Sequence, residues 1–238
     1  WSPSKLSQHA TTLFLSNRVL REFSADYVIR VHFRNKDLSK LSIVKNNANI
    51  DNLLEVGVRG LLKDGIVIGQ RRFEFLAMSS SQLRNHGCWF VDVQLGAEPV
   101  RKWLGSFEEI KNVAKYVARL GQSFSASRST LSIPKFNFIP DWEHDGFCFS
   151  DGCGMVSLGL ATEIATRLRL SEVPSAFQIR YAGFKGVVSV APESEGLTLR
   201  PSMKKFESDN RSLDILNVAQ AFPCFLNRQV IMILSALG

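Results

Sequence analysis

What the sequence lacks narrows its class before any motif is considered. Four cysteines, Cys88, Cys148, Cys153 and Cys224, are too few and too scattered for a disulfide framework in 238 residues. No stretch approaches the roughly 20 consecutive apolar residues that cross a bilayer, and the first residues lack the basic-then-apolar order of a secretion signal. These absences predict reduced thiols and an intracellular protein, cytoplasmic or nuclear. No internal repeat recurs at a fixed period. An initiator methionine is also missing: the chain opens on Trp1 and stops at Leu237-Gly238, directly after Val230-Ile231-Met232-Ile233-Leu234. It therefore reads as an internal piece of something longer.

What is present is a foldable composition with a charge bias. Hydrophobic residues make up 45% of the chain, enough for one sizeable core or two modest ones. The formal net charge of +7 favours a polyanionic partner, since each Lys or Arg placed on a phosphate releases condensed counterions.

Periodicity divides the chain. Over 26–34, Tyr27, Ile29, Val31 and Phe33 alternate with Arg30, His32 and Arg34, predicting a strand that shows a basic face to solvent or ligand. Short strands are predicted at 66–68, 73–77 and 88–95, separated by the turn signals Lys63-Asp64-Gly65 and Asn85-His86-Gly87. Between 101 and 120, Trp103, Phe107, Ile110, Val113, Ala114 and Val117 recur at helical spacing, with Gly121 as the stop. The stretch 122–132 carries five serines ahead of Pro134 and Pro140 and reads as the start of a linker. Beyond it the patterns predict a strand at 147–149, a helix at 158–168, and strands at 177–181, 186–190 and 197–200. A compact α+β barrel fits that order. The segment 225–237 is apolar nearly all round and short, as a buried connecting helix would be.

One run carries a family resemblance. Arg72-Phe73-Glu74-Phe75-Leu76-Ala77-Met78-Ser79-Ser80-Ser81-Gln82-Leu83-Arg84-Asn85-His86-Gly87-Cys88-Trp89-Phe90 is similar to the most recognisable stretch of the eukaryotic cellular RNA-dependent RNA polymerases of the gene-silencing type. Further blocks follow in the family's order: Ala118-Arg119-Leu120-Gly121-Gln122-Ser123-Phe124-Ser125, Phe149-Ser150-Asp151-Gly152-Cys153-Gly154, Pro174-Ser175-Ala176-Phe177-Gln178-Ile179-Arg180 and Gly183-Phe184-Lys185-Gly186-Val187. Leu199-Arg200-Pro201-Ser202-Met203-Lys204-Lys205-Phe206 and Leu226-Asn227-Arg228-Gln229 complete the set.

The resemblance implies a β-rich α+β fold: a mostly-β slab-like region with one long helix over 1–125, a linker over 126–140, a first double-psi β-barrel over 141–222, and the start of a connecting helix over 223–238. It implies an RNA-directed RNA polymerase that copies single-stranded RNA into double-stranded RNA for RNA silencing, working with nucleoside triphosphates, the remainder of the polymerase chain and the silencing machinery. Carried over by position, Arg180, Lys185 and Lys205 match the cations the family directs at nucleotide phosphates. Arg84, Arg200, Lys204 and Arg228 are the further candidates for RNA contact. The family's metal signature, Asp-x-Asp-Gly-Asp, does not occur here, so Mg2+ is expected on residues outside this piece, which alone would be inactive.

Side-chain alternation places Arg180 and Gln178 opposite Phe177, Ile179 and Tyr181, so Arg180 points away from the core. Lys185 lies between Gly183 and Gly186, whose missing side chains would let a phosphate or nucleic-acid backbone approach. The family has a second glycine where Ala182 stands. A lysine in a plain hairpin turn, and a solvated charge run over Arg200, Lys204 and Lys205, are the competing accounts.

Other constellations carry less. Asp141-Trp142-Glu143-His144-Asp145-Gly146 alternates carboxylates as a strand-borne metal triad would, but glycine follows the third carboxylate instead of preceding it, and turn residues account for the run. His144, Cys148 and Cys153, with Cys88 or His86, fit no paired zinc pattern. Ser202-Met203-Lys204-Lys205 and Ser208-Asp209-Asn210 mimic the motifs of penicillin-recognising acyl enzymes, but lie too close together and lack Lys-Thr-Gly. Two further functions compete with polymerase: a non-catalytic RNA-binding module, and a scaffold domain whose charge reflects solubility alone.

Overall fold

The computed structural model describes residues 16–35, 37, 39–40, 57–221 and 227–237. The N-terminal part is built on an antiparallel sheet of β1 (Val28–His32), β2 (Ile66–Ile68), β3 (Arg71–Ala77) and β4 (Gly87–Asp92), ordered β1-β4-β3-β2. Strand β4 is buried along its whole length, which is why Cys88-Trp89-Phe90-Val91 reads as a continuous apolar run. Around this sheet lie α1 (Arg18–Phe23), α2 (Gly60–Asp64), α3 (Ser80–Arg84), α4 (Ala97–Leu104) and α5 (Val113–Leu120). Helix α3 opens with a capping box in which the Ser79 hydroxyl accepts from the Gln82 amide and the Gln82 side chain accepts from the Ser79 amide.

The predicted long helix over 101–120 is two helices. Gly105 breaks it with φ of +144°, and a Cβ there would lie 2.2 Å from the Glu207 carbonyl oxygen. Ser106 instead donates its amide to Glu207 at 2.9 Å, and Asn112 restarts the helix by accepting from the Lys115 amide. The basic face predicted for β1 is not open: Arg30 and His32 are half-buried, and burial lowers the pKa of both.

The second sheet has seven strands: β5 (Arg128–Ser132), β6 (Asn137–Phe138), β9 (Cys153–Val156), β10 (Ala176–Tyr181), β11 (Phe184–Val190), β12 (Leu197–Leu199) and β13 (Ser212–Val218), ordered β5-β13-β10-β11-β9-β12-β6. Two pairings are parallel, β11 with β9 and β12 with β6. Helix α6 (Leu158–Leu168) follows β9, capped by Ser157, and buries Ala161, Ile164 and Leu168 in a core shared with Phe177, Ile179 and Tyr181. The serine-rich segment read as linker is a strand here: β5 pairs with β13, and the Thr130 hydroxyl donates to the Leu213 carbonyl. The residues 121–124 just ahead of it form a buried 3-10 turn, with Phe124 stacked on Trp89 at 5.7 Å.

A separate hairpin, β7 (Glu143–His144) and β8 (Phe147–Cys148), turns on Asp145-Gly146, both at positive φ. The carboxylate run over 141–146 is thus hairpin and turn. Trp142, Phe147 and Phe149 are exposed on this hairpin.

Two sets of contacts bind the sheets together. Phe206 leaves the second sheet to pack on Phe107, with ring centroids 4.7 Å apart. From α1, Arg18 Nε donates to Asp214 Oδ2 and Arg21 Nη2 to Asp214 Oδ1, each at 2.7 Å. The last helix, α7 (Arg228–Leu237), is exposed throughout among the described residues, contrary to the buried helix predicted; no described residue covers Ile231, Met232, Ile233 or Leu234. The preceding segment 222–226, with Cys224, lies outside the described residues. No helix among the described residues is long and apolar enough to cross a membrane.

Candidate functional site

The site begins as a hairpin. Strands β10 and β11 are joined by the two residues Ala182 and Gly183, with φ of +45° and +81°, the left-handed pair that a tight hairpin of right-twisted strands requires. Ala182 takes this conformation despite its Cβ. Register sets Arg180 directly opposite Lys185. Like charges facing each other across an antiparallel pair are destabilising, so this placement is not explained by stability.

Burial and repulsion mark both cations. Arg180 is half-buried, and its pKa falls to about 10, first because burial strips water from the guanidinium and then because Arg18 lies close; Asp214 opposes the shift. Lys185 is lowered by burial first, then by the charges of Arg180, Arg119 and Lys205. Four cations therefore converge, and Asp214, the carboxylate that acts on Arg180, is already engaged by Arg18 and Arg21. Arg180 Nη1 donates to the Ile179 carbonyl at 2.9 Å, whereas its Nε finds no partner among the described residues.

Lys205 arrives from another segment. After β12, a 3-10 turn, Pro201–Met203, leads to Lys204 and Lys205. The Lys205 amide donates to Gly183 O at 3.0 Å, which docks this segment on the hairpin turn, and the Lys205 ammonium donates to the Ser202 carbonyl. Neighbouring Lys204 is ion-paired with Glu207, and the Arg200 guanidinium donates to Pro140 O.

The structure thus brings Arg180, Lys185 and Lys205 together and adds Arg119, at the end of α5, which the sequence reading quoted within a block but did not select. Nothing in the sequence alone places Arg119 near Lys185. Arg84, in the last turn of α3, and Arg228, in the first turn of α7, are exposed cations on other elements.

The glycines have a different purpose from the one expected. A Cβ on Gly183 would lie 2.0 Å from Phe206 O, and one on Gly186 would lie 2.2 Å from Gly152 O. The close approach they permit is of the chain's own backbone, not of a ligand.

No group of three His, Cys, Asp or Glu side chains among the described residues could hold a metal ion. Asp141 is occupied otherwise: Oδ1 accepts from the Ser150 and Ser202 hydroxyls at 2.8 and 2.7 Å, and Oδ2 accepts from the Ser202 amide at 2.7 Å. Cys88 is buried, which pushes its thiol up to about 12, while Cys148 and Cys153 are exposed.

Comparison with known proteins decides the family. A family model described as RNA dependent RNA polymerase matches residues 2–238. The chain belongs to the RNA-dependent RNA polymerase family. It is 44% identical to RNA-dependent RNA polymerase 1 of Arabidopsis thaliana over all of this chain and 23% of that protein. It is 45% identical to the probable RNA-dependent RNA polymerase 1 of Oryza sativa subsp. japonica over all of this chain and 34% of that protein. The chain therefore spans a quarter to a third of the length of these relatives. The fold is similar to that of the RNA dependent RNA polymerase QDE-1 from Thielavia terrestris, with a TM-score of 0.73 and 22% identity over 92% of this chain and 27% of that one.

Proposed function

We propose that this chain is the phosphate-handling part of an RNA-directed RNA polymerase that copies single-stranded RNA into double-stranded RNA for RNA silencing. The observation that carries the reading is the convergence of Arg119 and Lys205 on the hairpin that bears Arg180 and Lys185, all four half-buried, with the Lys185 pKa lowered first by burial and then by the other three cations. Partly desolvated cations without a carboxylate partner attract a triphosphate strongly, because the oxygens supply the charge and hydrogen bonds the protein withholds. Arg180, Lys185 and Lys205 hold nucleoside triphosphate in this reading, and Arg119 adds to the field. Arg84, Arg200, Lys204 and Arg228 contact template RNA, with Lys204 exchanging its Glu207 partner for phosphate.

In architecture, the four-stranded sheet with its helices corresponds to the slab-like region and the seven-stranded sheet to the first double-psi barrel. No group among the described residues fits a metal ion, so the reading assigns the Mg2+ of polymerisation, and the carboxylates that hold it, to residues outside the chain. The remainder of the polymerase and the silencing machinery are its partners.

The test is steady-state kinetics of the full polymerase carrying Lys185→Ala or Lys205→Ala. Losing one charge-assisted hydrogen bond to phosphate, worth about 1.5–3 kcal/mol, lowers kcat/KM for nucleotide by roughly tenfold to a hundredfold with little change in melting temperature. Unchanged nucleotide kinetics in both variants would remove the cluster from the mechanism. Salt-dependent binding of single-stranded RNA without any nucleotide incorporation would favour the non-catalytic RNA-binding module.

A further inference from the structure

Asp141 sits outside the cation cluster yet is wired to it. Its carboxylate closes the base of the exposed β7–β8 hairpin through Ser150, whose hydroxyl donates to Asp141 Oδ1 and accepts from the Trp142 amide at 2.8 Å. The same carboxylate grips Ser202 twice, through the hydroxyl and the amide, both at 2.7 Å. The Ser202 hydroxyl also accepts from the Gly152 amide at 3.0 Å. Each serine thus spends its single proton on Asp141, and a carboxylate surrounded by donors alone is favoured in its ionised form. Burial works against ionisation, but hydrogen bonds from Ser202, Ser150 and Cys148 outweigh it and hold the pKa below the usual aspartate range.

The other side of Ser202 faces the site. Its carbonyl accepts the Lys205 ammonium, and the Lys205 amide is fixed on Gly183 O, one residue from the Phe184-Lys185 start of β11. Next to Asp141, Pro140 O accepts from the Arg200 guanidinium. The turn that carries Arg200, Lys204 and Lys205 is therefore anchored at Pro140-Asp141 on one side and at the hairpin turn on the other.

We propose that Asp141 is a positioning residue for nucleotide binding: by clamping Ser202 it orients the carbonyl that steers the Lys205 ammonium toward the triphosphate. The proposal rests on the reading of Lys205 as a phosphate ligand. It gives a run of residues that resembles a metal triad a different task, in which the Asp141 carboxylate is engaged by serines.

The test is a double-mutant cycle in the full polymerase: Asp141→Ala, Asp141→Asn, Lys205→Ala and the Asp141→Ala/Lys205→Ala pair, each with KM for nucleotide, kcat, KM for template and a melting temperature. Loss of the clamp raises KM for nucleotide about three- to tenfold, leaves KM for template alone, and adds nothing once Lys205 is gone. Asp141→Asn, which keeps one acceptor oxygen, gives a smaller rise and guards against a failure of Asp141→Ala to fold. If Lys205→Ala weakens nucleotide binding while Asp141→Asn changes only the melting temperature, or if the two losses multiply, the positioning role is wrong and the phosphate reading stands. If Lys205→Ala leaves nucleotide kinetics unchanged, Lys205 is not a phosphate ligand and the positioning role falls with it, whatever Lys185→Ala shows.

Discussion

Asp214→Asn is the most searching perturbation of the frame that carries the cluster. Asp214 is 1% exposed and accepts from Arg18 and Arg21 at 2.7 Å each, 196 and 193 residues away in sequence. Asparagine keeps one acceptor oxygen but presents an NH2 group to the second guanidinium. Arg21 is partly exposed and can turn to water; Arg18 is 8% exposed and cannot, although its Nη2 retains the carbonyls of Arg180 and Ser212 at 3.2 and 3.0 Å. Removing one partner of a buried pair costs about 3–5 kcal/mol, and the retained carbonyl bonds put this case at the lower end, about 3 kcal/mol. That corresponds to roughly a hundredfold rise in local opening, read as faster amide hydrogen exchange in β10 and β13 of the full polymerase. An Arg18→Met/Asp214→Leu pair of similar volume restores most of the protection, because desolvation of both charges is relieved together. A rise below about tenfold in Asp214→Asn would show that the pair is not what joins α1 to the second sheet.

Two other outcomes follow from the hairpin. Gly183→Ala forces a Cβ against Phe206 O at a positive φ and costs at least about 2 kcal/mol, whereas Gly69→Ala, also at positive φ but with open space around it, costs about 1 kcal/mol; a pair of melting curves compares them. Lys185 has its pKa lowered, so its charge is present below the folded value and lost as pH rises through it, at a lower pH than for an ordinary lysine. Nucleotide affinity should therefore begin to fall on the alkaline side before ordinary lysines titrate. Stability should rise over the same window, because the unfolded chain binds the proton more tightly there. Lys185→Met flattens both curves; parallel rather than opposed trends would disprove the assignment.

How far the sequence could be read depended on whether a signal was local. Helix α6 was legible to the residue because Ser157 caps it and Ala161, Ile164, Ala165 and Leu168 repeat on one face. The strands β2 and β10 were legible from apolar alternation and turn residues. The false helix over 101–120 arose because apolar spacing happened to continue across Gly105, whose break depends on Glu207 from the distant sheet. Strands β5 and β13 were missed for a related reason: Ser129, Ser132 and Asp214 look like linker and loop residues until their partners, Ser212 and Arg18, are brought in from afar. At the site, the family blocks located Arg180, Lys185 and Lys205, and alternation gave Arg180 its face. Arg119 and Asp141 were invisible as participants, since their relevance lies in what they stand beside.

The dipeptide Phe206-Glu207 has a mechanical consequence. One carbonyl fills the space left by Gly183 and the next fills the space left by Gly105, so two adjacent peptide groups pin the β10–β11 turn to the end of α4. Any shift of the hairpin that carries Arg180 and Lys185 is thereby passed to the end of α4.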